Sequence, residues 1–150
     1  MRFLLTRELG RLAKWLRIMG FDAEYFGENN ISSLVIQSLK DGRVILTRNH
    51  RLPQSRGIKV ILIQAEKIKD QIKEVLGTLK ITLDPEMMFT RCTLCNAELV
   101  GIAKETAKDR VPEYVLNTQQ DFVICPQCNR IYWQGTHWGN VKITLDEIKH

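Results

Sequence analysis

The chain has four cysteines, in two Cys-x-x-Cys pairs: Cys92 with Cys95, and Cys125 with Cys128. Two thiolates at this spacing reach one ion from a tight turn, and two such turns complete a tetrahedron. An Asn follows each pair, Asn96 and Asn129, and Asn tolerates the left-handed backbone that such a turn tends to need. The 29 residues between the pairs have room for two strands and a turn. Four sulfurs leave no open coordination position, so the expected ion is one structural zinc and not a catalytic one. Two disulfides would belong to an oxidising compartment. A redox motif would account for one pair but not for two with matching flanks. His137 is disfavoured as a ligand because four thiols already fill the site.

A second group of residues stands where a parallel sheet would bind a ligand. Thr6 follows the apolar run Arg2–Leu5, and Arg48-Asn49 follow Val44–Thr47. In an open parallel sheet the carboxyl ends of the strands carry the site. A nuclease using Mg²⁺ or Mn²⁺ needs carboxylates there, because hard cations bind anionic oxygens. Thr6 and Asn49 supply neutral oxygens only. Glu8 is the nearest acid able to lean into the site, and Glu28 is also close in sequence. Asp22 is expected at the opposite edge of the sheet, as a turn residue. The same rim carries Arg7, Arg11, Lys14, Arg48 and Arg51. Arg7, Arg11 and Lys14 share a helix face at i, i+4, i+7. Such a cluster suits phosphate contact, and the plainer reading is a solvated helix face.

These positions require particular elements. Leu9, Leu12, Leu16 and Met19 fall on one face at helical spacing, so Arg7–Met19 reads as a helix that Gly20 stops. Ala23–Phe26 reads as a strand. Asn30 or Ser32 can cap a helix running to about Leu39, and Asp41-Gly42 makes a turn. Val44–Thr47 and Val60–Ile63 read as strands, and Lys67–Leu79 returns to helical spacing. Alternating strands and helices imply an α/β layer with a largely parallel sheet. Asp84-Pro85 marks a boundary, after which short pieces surround the cysteines. Tyr132 and Trp133 are expected in the small core of that second part, with His137 and Trp138 facing out.

Charge is placed unevenly. Residues 1–60 hold eleven Lys/Arg against five Asp/Glu, whereas residues 91–150 hold seven of each. The net charge of +5 therefore sits on the N-terminal part, a field that favours phosphates and nucleic acid. Apolar residues make up 44% of the 150, enough for a real core. No run of about 18 apolar residues exists, so no helix should span a membrane. The opening Met1–Glu8 is too short an apolar stretch for a signal peptide, and the expected location is cytoplasmic.

Several stretches, in order, carry a family likeness: Leu9-Gly-Arg-Leu-Ala-Lys-Trp-Leu-Arg-Ile-Met-Gly-Phe-Asp22, Gly42-Arg-Val-Ile-Leu-Thr-Arg48, Arg91-Cys-Thr-Leu-Cys-Asn96, Asp109-Arg-Val-Pro112, Cys125-Pro-Gln-Cys128 and Tyr132-Trp-Gln-Gly-Thr-His137. The chain resembles the Mut-7 C-terminal RNase domain family, in which a PIN-like domain precedes a zinc ribbon. The resemblance implies an α/β class: a PIN-like domain with a largely parallel sheet over residues 1–84 and a small zinc ribbon over 85–150. It also implies RNA as substrate class and metal-dependent cleavage. The family usually has Asp where this chain has Thr6 and Asn49, and an acidic pair where it has Asn30–Ser33. Without those carboxylates Mg²⁺ binding should weaken, since the ion keeps its waters unless anionic ligands compete.

The expectation that follows is an RNA-binding protein on a PIN-like ribonuclease fold, with a structural zinc and weak or lost nuclease activity. One alternative is an active ribonuclease using Glu8 and other acids, the only reading that calls for Mg²⁺ or Mn²⁺. Another is a protein-interaction adaptor. The two parts are expected to have separate cores, so that losing Cys125 would unfold residues 85–150 and spare the rest.

Overall fold

The computed structural model describes residues 1–52 and 57–149; the side chains of 136–139 and 149, among them His137 and Trp138, lie outside the described set. The chain divides into two compact units, Met1–Asn96 and Ala97–His150. In the first, β1 (Arg2–Thr6) runs through a 3-10 turn (Arg7–Leu9) into α1 (Gly10–Ile18). Then come β2 (Asp22–Phe26), α2 (Ile31–Asp41), β3 (Val44–Thr47), β4 (Val60–Leu62) and α3 (Ile68–Thr78). The strands form one parallel sheet in the order β2-β1-β3-β4. Both central strands are apolar runs covered on both faces, as an all-parallel sheet requires: Phe3, Leu4, Leu5, Ile45 and Leu46 are fully buried.

The helices form where apolar spacing and capping agree. Leu9, Leu12, Leu16 and Met19 are all buried, so the stripe read from the sequence faces the core. Asn30 caps α2 by accepting from the Ser33 N–H at 3.1 Å, and Gly42 closes it with φ +65°. Gly20 ends the first helical segment with φ +94°, and a Cβ there would collide with the Met87 carbonyl. Leu4, Phe26, Leu34, Ile45, Leu52 and Ile58 form one core cluster under α2.

Asp22 sits at the amino edge of the sheet, as expected, but it is an ion-pair hub and not a plain turn residue. Its Oδ1 accepts from Arg43 Nη1 at 2.7 Å and from Asn96 Nδ2 at 2.6 Å, and its Oδ2 lies 3.3 Å from Arg2 Nε. The Arg43 side chain is only 4% exposed, so its charge needs these partners. Burial acts to raise the Asp22 carboxyl, but bonds from Arg43 and Asn96 outweigh it and hold the group down at about 2.

The second unit pairs β5 (Val100–Ile102), β6 (Phe122–Ile124) and β7 (Ile131–Trp133) into an antiparallel sheet. Between β5 and β6 lie α4 (Lys104–Ala107) and α5 (Glu113–Thr118), and α6 (Thr136–Lys149) ends the unit. The stretch between the cysteine pairs thus holds two short helices besides its two strands. The core aromatic is Phe122, 2% exposed, packed with Ala107 and Val115. Trp133, expected in the core, is 37% exposed and touches Phe122 at a ring distance of 6.4 Å. No described helix is long and apolar enough to cross a membrane.

Asp22 gives the fold an acid-sensitive joint. Its folded carboxyl titrates at about 2, below the unfolded value of about 3.9. That stabilisation is fully present above about pH 4 and is lost as pH falls towards 2. Asp22→Asn should cost roughly 2 kcal/mol at pH 7, because a buried guanidinium loses its charged acceptor. Urea unfolding from pH 2 to 7 checks both: the variant should lose the steep part of the acid dependence.

Candidate metal centre and cleft

Each cysteine pair folds into the same small turn. The Cys95 N–H points at Cys92 Sγ and the Cys128 N–H at Cys125 Sγ, both at 3.4 Å. The Asn96 N–H bonds Cys92 O at 2.9 Å, and the Asn129 N–H bonds Cys125 O at 2.8 Å. Both Asn residues are left-handed, φ +67° and +65°. An arginine then holds each closing carbonyl: Arg91 donates to Asn96 O at 2.8 Å and Arg110 to Asn129 O at 2.7 Å. The sequence alone assigns these arginines no role, since nothing in their local spacing points at a carbonyl.

The four Sγ atoms lie within 4.8 Å of one another, and none is in a disulfide. A tetrahedral zinc with Zn–S of about 2.3 Å needs sulfurs about 3.8 Å apart, so the donor set fits. Four cysteines this close can hold one zinc ion, and they leave no position for substrate.

The first turn is fastened to the parallel-sheet unit. Buried Arg17 donates from Nη1 to Thr93 O at 2.8 Å and Leu94 O at 3.2 Å, and from Nε to Ala23 O at 2.8 Å. Burial lowers the Arg17 pKa, and the neighbouring Cys92 and Cys95 act to raise it. Asn96 accepts from the Ala23 N–H at 3.0 Å. Ala23 is on β2, an edge strand, so the turn satisfies backbone groups that an edge leaves open.

At the other end of the sheet, Thr6 and Thr47 stand side by side on β1 and β3, their Oγ1 atoms 2.9 Å apart. Glu8 Oε1 lies 2.6 Å from Thr6 Oγ1, 3.2 Å from Thr47 Oγ1 and 2.9 Å from the Arg48 N–H. Each hydroxyl has one proton, so Thr6 donates to Glu8, and Thr47 donates to Glu8 or to Thr6. Burial acts to raise the Glu8 carboxyl, but these hydrogen bonds outweigh it, so the group titrates below its ordinary value. One of its oxygens is therefore spent on the protein. Fully buried Thr47, which reads in the sequence as plain strand interior, also accepts from the Asn49 N–H at 3.0 Å.

A cleft of about 140 Å³ opens beyond these strand ends. Its polar lining is Thr6, Arg7, Glu8, Glu28, Asn29, Asn30 and Asn49, over Phe26, Leu34 and Leu52. Asn30 and Asn49 are partly committed to backbone, Asn49 Oδ1 accepting from the Arg51 N–H at 3.0 Å. Arg7 alone of the five expected cations lines the cleft; Arg11, Lys14 and Arg51 are exposed outside it. Arg48 is half-buried and donates from Nη2 to Gln64 O at 3.4 Å. Among the described residues, the four cysteines are the one group of three or more His, Cys, Asp or Glu close enough to share an ion.

The family model described as Mut7-C RNAse domain matches residues 1–145. No curated protein and no solved structure matches the chain.

Purified without added metal, the protein should carry about one zinc by elemental analysis, and Cys92→Ser should abolish it. Arg17 and Asn96 tie the 92–96 turn to the sheet unit. Freeing the 92–96 turn strips Arg17, Ala23 and Asp22 of partners. Cys92→Ser or chelation should therefore lower the melting temperature of the parallel-sheet unit by several °C, about 4–8 °C per kcal/mol lost. Hydrogen exchange at Ala23 gives the local check.

Proposed function

The chain belongs to the Mut7-C RNase domain family, and from that premise we propose that it binds RNA on a PIN-like fold with a structural zinc ribbon, its metal-dependent nuclease activity weak or lost. The ribbon in this reading takes residues 85–150 and the PIN-like domain residues 1–84. The observation that carries the proposal is the make-up of the cleft. Its strand-end and loop positions hold Thr6, Asn29, Asn30 and Asn49, all neutral, where a divalent ion would require carboxylates. The exposed cations Arg7, Arg11, Lys14 and Arg51 lie on the same unit. Removing acids from a basic rim strengthens its attraction for phosphate while weakening its hold on Mg²⁺.

RNA affinity should fall steeply between about 50 and 200 mM salt. Arg11→Glu with Lys14→Glu should weaken binding to unrelated sequences alike and flatten the salt dependence by about one to two log units per log unit of salt. Fluorescence anisotropy with several labelled RNAs measures this. Affinity that ignores both salt and these changes refutes the RNA reading and favours the adaptor.

A second reading is an active ribonuclease built on Glu8 and Glu28, and it draws support from both acids lining one cleft. Cleavage of labelled RNA with Mn²⁺ separates the two. The unmodified chain should show little cleavage, and Thr6→Asp with Asn49→Asp should raise it. Robust cleavage by the unmodified chain, abolished by Glu8→Gln, would make the second reading correct.

A further inference from the structure

Tyr25 is an exposed aromatic on β2, the strand whose last residue, Phe26, lines the cleft. It lies on the edge strand β2, in register with Leu5, and keeps 47% of its surface open. Its hydroxyl donates to the Arg7 carbonyl at 2.9 Å, which fixes the far end of the ring. The ring edges run beside two glycines. A Cβ at Gly10 would lie 3.8 Å from Cε2, and one at Gly27 would lie 3.7 Å from Cε1. A Cβ at either position would make ordinary van der Waals contact with the ring edge.

Gly10 opens α1, and at 100° per residue Lys14 and Arg11 lie about 40° and 100° round from it, while Arg7 precedes the helix in the 3-10 turn. Arg7 also lines the cleft. The backbone leaves Tyr25 through Phe26 and Gly27 into Glu28, Asn29 and Asn30, which line the cleft as well. Arg7 thus holds the ring through its carbonyl and also lines the cleft, where Glu8 and Glu28 stand among the neutral Thr6, Asn29, Asn30 and Asn49. A rigid aromatic face beside phosphate-binding cations is the pairing that holds unstacked bases. A duplex offers no free base face to such a ring.

We infer that Tyr25 is a base-stacking platform and that the ligand of this surface is single-stranded RNA, with phosphates on Arg7 and Arg11 and one base on the ring. The inference rests on the RNA reading above and adds the strandedness of the ligand and a residue that sets it. The stacking is indifferent to base identity, because every base has a π-face.

The test uses the full chain, a labelled RNA of about 12 nucleotides and the same RNA in a duplex. Tyr25→Leu should lower single-strand affinity by roughly 5- to 150-fold, the range of one stacked base. It should leave duplex binding and the salt slope unchanged, because no cation is removed. Tyr25→Phe should retain most of the affinity, and Tyr25→Trp should retain it and add fluorescence that the single strand quenches beyond the change in the unmodified chain. If Tyr25→Leu weakens single strand and duplex equally, the effect is structural and the platform is overturned. Unchanged single-strand affinity in Tyr25→Leu, or added fluorescence in Tyr25→Trp that is blind to RNA, overturns it too and leaves the RNA reading standing. Failure of the unmodified chain to bind either RNA overturns both.

Discussion

The Asp22 carboxylate joins three segments that are far apart in the chain. It binds Arg2 at the start of β1, Arg43 at the entry to β3 and Asn96 at the close of the first cysteine turn. Arg43 is the demanding partner. Its guanidinium is almost wholly buried, and besides Asp22 it reaches Phe3 O at 3.1 Å and Glu24 at 3.3 Å. A charge so placed is tolerable only if its acceptors are held still. Asp22 is held by β2, whose pairing with β1 starts at Arg2 and Asp22 themselves. The amino edge of the sheet is therefore one cooperative network, and the cysteine turn is a member of it.

That membership explains why the unit boundary falls after Asn96 and not earlier. Compactness follows contacts, and Arg17, Ala23 and Asp22 all bond residues 93–96. Coordination chemistry follows donor atoms, and it groups Cys92 and Cys95 with Cys125 and Cys128. The two descriptions divide the chain differently because a short turn buries almost nothing of its own. It takes its packing from a neighbour, while its cysteines stand with the second pair as a donor set that can hold one ion.

Much of this was legible in the sequence. The stripe Leu9, Leu12, Leu16, Met19 has one helical reading, and the run Val44–Thr47 one strand reading. Asn96 and Asn129 announced left-handed turns because their side chains tolerate a conformation most residues avoid. What was not legible is long-range. Nothing near Arg17 or Arg91 in sequence says that its guanidinium meets carbonyls of a cysteine turn. Thr47 looks like any β-branched strand residue until Thr6 is set beside it by the register of β1 and β3. Trp133 was expected inside because it is large and apolar, but β7 is an edge strand of a three-stranded sheet, and Phe122 on the central strand takes the core instead.

The carboxyl edge of the sheet is built on the opposite principle from the amino edge. At Asp22 an anion is surrounded by cations until their charges balance. At Glu8 an anion is held by hydroxyls and a backbone N–H, which stabilise its charge without cancelling it. A carboxylate held in this way can ligate a metal with its other oxygen, but the neighbours that should share the work are amides and a hydroxyl. Amide and hydroxyl oxygens leave a hydrated Mg²⁺ little reason to shed water. They are, however, good company for an RNA backbone. Asn and Thr can donate hydrogen bonds to phosphate oxygens or ribose hydroxyls, which an ionised Asp cannot do. Thr6 and Asn49 can thus donate where ionised carboxylates could only accept, on the same unit as a basic helix and an exposed tyrosine ring.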